Sequence, residues 1–450
     1  MKFLNKQFTQ ETLKLALPVM LTQVGQVSVN LFDNIIVGKL LGAKALAAVS
    51  LGNAMFFSIF IFGLGFSLAI PPLVSEAHSQ HDHNRINSIF RHGFVVNIIL
   101  AFVLMLLIFG IIPLMPYLNQ PKEILPDTIT FLSIVTLSII PFMIFQTMRE
   151  VSEGLSFTIG VTKATIFANI INVILNYVFI EHFKMGVAGS AWATFIARVA
   201  MMVFLYYVLI KEEKTRRYIK DFSLKIKDFT KEMFEKLIRL GFPTALQLFF
   251  EVTAFAGAAF ICGLISAKDI AAHQIALSMA SFTFNLCVGF SVASTVMIGR
   301  KLGEKDFVNL EKVGFNNLKI AFIFMLMCGL VFIFGKDVLP TFFTKKEDIA
   351  VVELASQLMI IAALFQLSDG IQVTALGCLR GIQDVKIPSI LTFIAYWVIT
   401  IPLGYYLTVP MKMGAFGMWI ALGIGLTISA VLLVIRFRNL SEKRIKAQSN

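Results

Sequence analysis

Twelve apolar runs, each long enough to cross a lipid bilayer, are what this chain must accommodate first. They fall near 15–38, 45–70, 93–116, 128–148, 160–181 and 187–210, and again near 237–262, 270–297, 316–335, 351–377, 387–408 and 414–436. About 20 predominantly apolar residues cross the hydrocarbon core as a helix, and a backbone in lipid must satisfy its own polar groups. The chain is therefore predicted to be an all-α integral membrane protein with twelve transmembrane helices. Composition leaves little else open: 57% of the 450 residues are apolar and 15% charged, against about 25% charged in a soluble domain. So apolar a chain is not a disordered one. The first run lacks the short h-region and cleavage site of a secretory leader, so it is expected to stay as the first helix.

The formal net charge of +12 does not point to nucleic acid, because Lys and Arg sit in short clusters between apolar runs. With the N-terminus taken as cytoplasmic, 29 of the 39 basic residues fall on the inner side, 9 on the outer side and one, Arg198, inside a span. That bias is how membrane proteins set their orientation, and it puts both termini in the cytoplasm. The runs divide as six and six: an N-terminal lobe at 1–210, a linker at 211–236, a C-terminal lobe at 237–436 and a basic tail at 437–450. In the linker Tyr218, Phe222, Ile226, Phe229, Met233 and Leu237 recur at the spacing of one helix face. An interfacial helix tethering the halves fits that spacing better than a gate.

The halves repeat each other. LALPVMLTQVGQVSVNLFDNIIVGKLLGAKALAAV from Leu15 is answered by LGFPTALQLFFEVTAFAGAAFICGLISAKDIAAH from Leu240, so Pro18 matches Pro243 and Gly38 matches Gly263. GFS at Gly65 and Gly289, QHD at Gln80 with EKD at Glu304, and MGVAG at Met185 with MGAFG at Met413 continue the correspondence. Repeats of six spans insert with one orientation and are related by an axis along the membrane normal. Two parallel lobes around a cleft suit alternating-access transport; a purely structural duplication is the other reading.

Against this apolar background three acids stand out: Asp33 in the first span, Glu251 in the seventh and Asp369 in the tenth. A carboxylate at the bilayer centre costs about 2.5–3.5 kcal/mol on insertion scales, so each is a candidate functional position, Asp33 less so because it approaches the interface. Counted from flanking basic residues, Glu251 lies about 22 Å and Asp369 about 16 Å from the cytoplasmic end, depths that allow them to share a level. Two neighbouring carboxylates in low dielectric share a proton or take up a cation; neutral acids hydrogen-bonded between helices are the bland alternative. Each acid faces an uncharged residue in the repeat alignment: Ala258 for Asp33, Gln26 for Glu251, and about Gln146 for Asp369. Duplication alone therefore does not explain them.

Neutral polar residues accompany the acids. Asn169, Asn172 and Asn176 lie three and four apart in the fifth span, and Gln23, Gln26, Asn30 and Asp33 form a similar stripe in the first. These stripes either tie helices together or line a protonatable pocket. Arg198 requires a partner, for which Asp33, Glu150 and Glu153 are the candidates. Pro18, Pro243, Pro388 and Pro402 can kink their helices, as hinges or as ordinary membrane prolines. The 44 Phe and 19 Met mostly face lipid, while Phe249, Phe250, Phe255, Phe282 and Phe284 are candidates to line a cleft for greasy cations. Cys262, Cys287, Cys328 and Cys378 read as buried hydrophobes. His78, His81, His83 and His92 read as a solvated loop rather than a metal site.

Taken together, these residues resemble the multidrug and toxic compound extrusion (MATE) family, in its NorM-like branch. The resemblance covers nearly the whole chain and rests on LALPVMLTQVGQVSVNLFDNIIVG with Asp33, LGFPTALQLFFEV with Glu251, QLSDGIQVTALGCLRGIQD with Asp369, and MGVAGSAWAT. It implies a monomer in the bacterial inner membrane, in contact with lipid, that exports organic cations and toxic compounds in exchange for Na+ or H+ without a cofactor. By position, Glu251 and Asp369 resemble the family's cation-binding acids, holding Na+ in a sodium-coupled member. Asp33 with Asn172 and Asn176 resembles its protonation-linked network, and Gln26, Pro18, Pro243 and Phe365 stand as gate or substrate contacts. Some sodium-coupled relatives carry a tyrosine where this chain has Phe365. That departure weakens the sodium-coupled reading but leaves both acids able to ligate the ion.

Two other functions fit the same residues less well. A lipid-linked oligosaccharide flippase of the same superfamily needs a basic cleft for pyrophosphate, and the one deep basic residue is Arg198. A membrane enzyme needs a catalytic cluster beside a substantial loop domain, and the loops are short; without a Walker A sequence, ATP-driven pumping has no support.

Overall fold

The computed structural model describes residues 4–117, 121–343 and 348–449. Among the described residues the chain folds into sixteen α-helices and no strand. The first repeat holds α1 (Lys6–Leu41), α2 (Ala43–Ser67), α3 (Ile70–Ser79), α4 (His83–Ile111), α5 (Leu125–Leu137), α6 (Ile139–Gly154), α7 (Ile159–Tyr177) and α8 (Gly186–Lys211). A short α9 (Glu213–Lys220) leads to the second repeat, with α10 (Lys231–Gly263), α11 (Ala267–Gly303), α12 (Phe307–Gly335), α13 (Ile349–Gly381), α14 (Lys386–Phe393), α15 (Ile401–Thr408) and α16 (Gly414–Ser449). Among the described residues eleven stretches are long and apolar enough to cross a membrane, and α5 with α6 makes a twelfth as a pair bent by 42°.

The span expected near 128–148 is this bent pair. Pro141 has no N–H to offer the carbonyl one turn back, and the Ser138 hydroxyl donates to the Val135 carbonyl at 2.5 Å. The chain turns at Ser138, and this places a hydroxyl in the middle of a span.

The duplication is written in the backbone. His81 and Lys305, Ser156 and Gln383, and Lys184 and Lys412 all adopt left-handed φ between 51° and 64°, each at a repeat-equivalent turn. Asp82 and Asp306, one residue past the first of these pairs, accept the backbone N–H of Arg85 at 2.9 Å and of Asn309 at 3.2 Å. Such caps satisfy a donor that a helix start leaves open. Both repeats also carry a π-helical segment, Val178–His182 in the first and Ile394–Thr400 in the second.

Two compact units result: Leu21–Ala245, here the first unit, and Met1–Met20 with Leu246–Asn450, the second. Their borders differ from the halves drawn at 1–210 and 237–436, and each falls two residues past a proline, Pro18 or Pro243. In the second unit Thr12 donates to Asn317 Oδ1 at 2.6 Å and Arg300 pairs with Glu11 at 2.7 Å. In the first unit Gly65 lies so close to Ala245 that a Cβ would stand 2.6 Å from its Cα. The core of the second unit packs α11 tightly on α13, where a Cβ on Gly377 would lie 2.8 Å from Ser291 Cα. Only hydrogen fits there.

The linker is not the single amphipathic helix expected over 218–237. After α9 the chain extends, makes a short turn at Ile226–Asp228, and enters α10. Phe222 packs on Phe90 and Phe94 of α4, whereas Ile226 is 92% exposed. Spacing at three or four suggested one face, but packing against α4 selects only some of these side chains.

Candidate functional site

The first unit holds a polar centre around Asp33, which is 7% exposed on α1. Its Oδ1 accepts from the Asn176 amide of α7 at 2.5 Å, and the Thr194 hydroxyl of α8 stands nearby. The same face of α7 grips α1 further along: Asn169 donates to the Gly25 carbonyl at 2.8 Å, and Thr162 meets Thr22 at 3.0 Å. The asparagine stripe therefore does tie helices together. Between its two bonded members lies Asn172, buried with neither amide atom hydrogen-bonded. Along α1 the stripe fades, with Gln23 and Gln26 half-buried and Asn30 exposed.

Arg198 is not paired with Glu150 or Glu153. It donates to Ser138 Oγ at 2.6 Å and lies over the rings of Phe56 and Phe142, 4.8 and 5.1 Å from their centroids. Its charge acts on Asp33 from beyond salt-bridge distance. The two glutamates serve α6 instead: Gln146 donates to Glu150 at 2.5 Å and Arg149 pairs with Glu153 at 2.8 Å. The broken span thus has a local purpose, since its Ser138 hydroxyl receives the guanidinium.

The second unit holds the other two acids. Glu251, 6% exposed, accepts through Oε1 from the Gln372 amide at 3.2 Å and from the Tyr396 hydroxyl at 3.5 Å. That hydroxyl also donates to Gln372 Oε1 at 3.0 Å, which closes a triangle. Asp369, 3% exposed, lies within the electrostatic reach of Glu251 and Tyr396. Among the described residues it makes neither a hydrogen bond nor an ion pair. A buried carboxylate without such partners is costly, and here a second carboxylate adds to the cost. Glu251, Gln372 and Tyr396 bring oxygen atoms together, and oxygen is the donor type that hard cations favour. Arg380 acts on Glu251 at a distance and donates to Ser291 Oγ at 3.1 Å.

Phe365 packs its ring on Trp419 at 5.6 Å and on Phe255 at 6.2 Å, and Phe255 in turn meets Tyr396 at 5.9 Å. Pro18 and Pro243 lie inside α1 and α10 without ending either helix. Sequence reasoning missed Thr194, Gln372 and Tyr396. Thr194 is one turn before Arg198 and Gln372 three residues after Asp369, so helical spacing from a singled-out residue could have found both. Tyr396 carried no such signal, because it enters the site from a π-helical segment, a feature often found at functional sites.

Two repeats of spanning helices, with buried carboxylates in both units, are a construction that secondary transporters use. Residues 18–178 and 243–406 match the MatE family model, one segment in each repeat, and the chain belongs to that family. It is 33% identical over 442 residues to the probable multidrug resistance protein NorM of Agrobacterium fabrum, covering 97% of this chain and 94% of the relative. Over 439 residues it is 31% identical to the multidrug resistance protein NorM of Photobacterium profundum, with 96% and 95% covered. The multidrug resistance protein MdtK of Yersinia pseudotuberculosis is 30% identical over 440 residues, at 96% and 95%. Among solved structures, the eukaryotic MATE transporter AtDTX14 superposes with a TM-score of 0.88 at 17% identity, covering 98% of this chain and 99% of that one. An outward-facing multidrug resistance MATE family transporter gives 0.89 at 20% identity, covering 97% and 96%. Those two superpositions establish the fold.

Proposed function

We propose that the protein is a secondary active antiporter of the cell membrane, exporting organic cations and other toxic compounds in exchange for Na+ or H+. Asp369 carries the reading. A buried carboxylate with no hydrogen bond and another acid beside it calls for a proton or a cation, and an oxygen-lined centre can take either. Glu251 and Asp369 bind the coupling ion, and Asp33 with Asn172 and Asn176 forms a second protonatable centre in the other unit. An ion that binds one state of the transporter more tightly than the other shifts the population between them, and the exported compound leaves on the opposite stroke. The multidrug resistance names of the bacterial relatives support this cargo. The Lys and Arg bias supports cytoplasmic termini.

The flippase reading is not favoured, because Arg198 is already engaged with Ser138, and Arg149, which the structure adds to the buried basic residues, with Glu153. Ethidium efflux from cells carrying the protein tests the proposal, with Na+ replaced by choline at fixed pH and then with the proton gradient collapsed. Efflux should fail under one of these conditions, and Asp369→Asn should abolish the coupled component at normal expression. Wild-type rates from Asp369→Asn would refute it.

A further inference from the structure

We propose that His92, at the cytoplasmic end of α4, is a proton-sensitive latch: neutral, it holds the linker and the start of α10 against α4, and protonated, it releases them. The imidazole is fully buried, with Nε2 at 2.9 Å from the backbone nitrogen of Thr230 and Nδ1 at 2.7 Å from the Ser88 carbonyl oxygen. A backbone N–H can only donate and a carbonyl can only accept, so the ring has one workable form. Nε2 keeps its lone pair and Nδ1 carries the proton. An imidazolium has two N–H groups and no acceptor, and would set N–H against N–H at Thr230. The ring is also wedged edge-on between Phe229 at 5.1 Å and Phe234 at 4.6 Å, so it cannot swing aside without unpacking the linker.

The neighbouring contacts do not share this restriction. His83 Nδ1 meets the Tyr218 hydroxyl at 2.8 Å, and a phenol can donate or accept, so that bond survives protonation. Arg91 pairs with Asp228 at 3.2 Å. The charged groups around the latch are engaged elsewhere. On α4 and α3, Arg85 pairs with Glu76; on α6, Arg149 pairs with Glu153 and Gln146 with Glu150. On α9 Arg217 pairs with Asp221, and on α10 Lys231 pairs with Glu235, with Glu232 and Lys236 interacting nearby. Among the described residues none of them hydrogen-bonds to His92, whose bonds there go to Ser88 and Thr230.

Thr230 immediately precedes α10, the helix that carries Glu251. Resting on the transport reading above, the latch ties cytosolic acidity to the helix that holds a coupling-ion ligand. Its sign is fixed: the latch is closed at higher pH and opens as pH falls.

Amide hydrogen exchange of residues 222–234 tests it on the purified full chain at pH 7.5 and 5.5, after correction for the intrinsic pH dependence of exchange. Loss of the bond should speed exchange about fivefold at pH 5.5. His92→Gln retains an acceptor for Thr230 without titrating, so its protection should be the same at both pH values, while His83→Gln should behave as wild type. Equal wild-type protection at both pH values would overturn the latch, as would an undiminished pH response in His92→Gln. If His92→Gln does not fold, the wild-type comparison decides alone. In cells, an acid limb of efflux against cytosolic pH should disappear in His92→Gln. Absence of efflux under every condition would count against the transport function, and the exchange result would still judge the latch.

Discussion

Removing one oxygen atom, through Tyr396→Phe, probes how the second unit holds its acid. The hydroxyl lies 3.0 Å from Gln372 Oε1 and 3.5 Å from Glu251 Oε1. The longer contact is at the limit of a hydrogen bond and contributes little; the shorter one contributes about 1 kcal/mol net, and an orphaned buried acceptor can cost about 1–3 kcal/mol. The phenyl ring would remain against Phe255, so packing is preserved. The substitution therefore withdraws about 1–2 kcal/mol, or about 5–30-fold in an equilibrium constant, from the amide that orients Glu251. Efflux in proteoliposomes, titrated with Na+ at fixed pH and with pH at fixed Na+, reads this directly. Half-saturation by the coupling ion should move about fivefold or more, while the maximal rate stays within about twofold. A folded Tyr396→Phe protein with the wild-type dependence on both ions would refute the role given to the triangle.

Two further outcomes follow from packing and capping. Gly377→Val should prevent α11 and α13 from seating, because the new Cβ would meet Ser291 backbone, which cannot yield as a side-chain tip can. We expect a loss above about 3 kcal/mol, seen as aggregation in size-exclusion chromatography, and a monodisperse stable variant would contradict it. Asp306→Ala should cost about 1 kcal/mol as a lost helix cap, measured by thermal unfolding at neutral pH. Burial pushes the Asp306 carboxyl up, but hydrogen bonds from Asn309 and the charge of Lys301 outweigh it and hold the group below its ordinary value. A lowered folded-state value means stabilisation that is complete above the unfolded-state value and lost as pH falls through the folded-state one. The wild type and Asp306→Ala should therefore converge in acid, and a constant difference down to pH 2 would exclude the cap.

The architecture was legible because lipid imposes it. Length and hydropathy fix spanning helices, and Pro18 with Pro243 or QHD with EKD reveal the duplication. The three acids were legible for the same reason, since an acid in a span has no structural excuse. What stayed hidden depends on rotation about helix axes. Nothing in the string says that Arg198 turns to Ser138 rather than to Glu150, or that Tyr396 turns inward. The linker misled for a related reason: periodic apolar residues describe a face only if the chain is helical there, and Phe222 and Phe229 were instead drawn onto α4 one at a time.

The unit borders past Pro18 and Pro243 decide where the chain can be divided. Severing the chain in its linker would not yield two self-sufficient pieces. The second would lack the twenty residues that contribute Glu11 and Thr12 to its fold, and the first would lose the start of α10 that closes on Gly65. Each repeat lends the beginning of its leading helix to its twin.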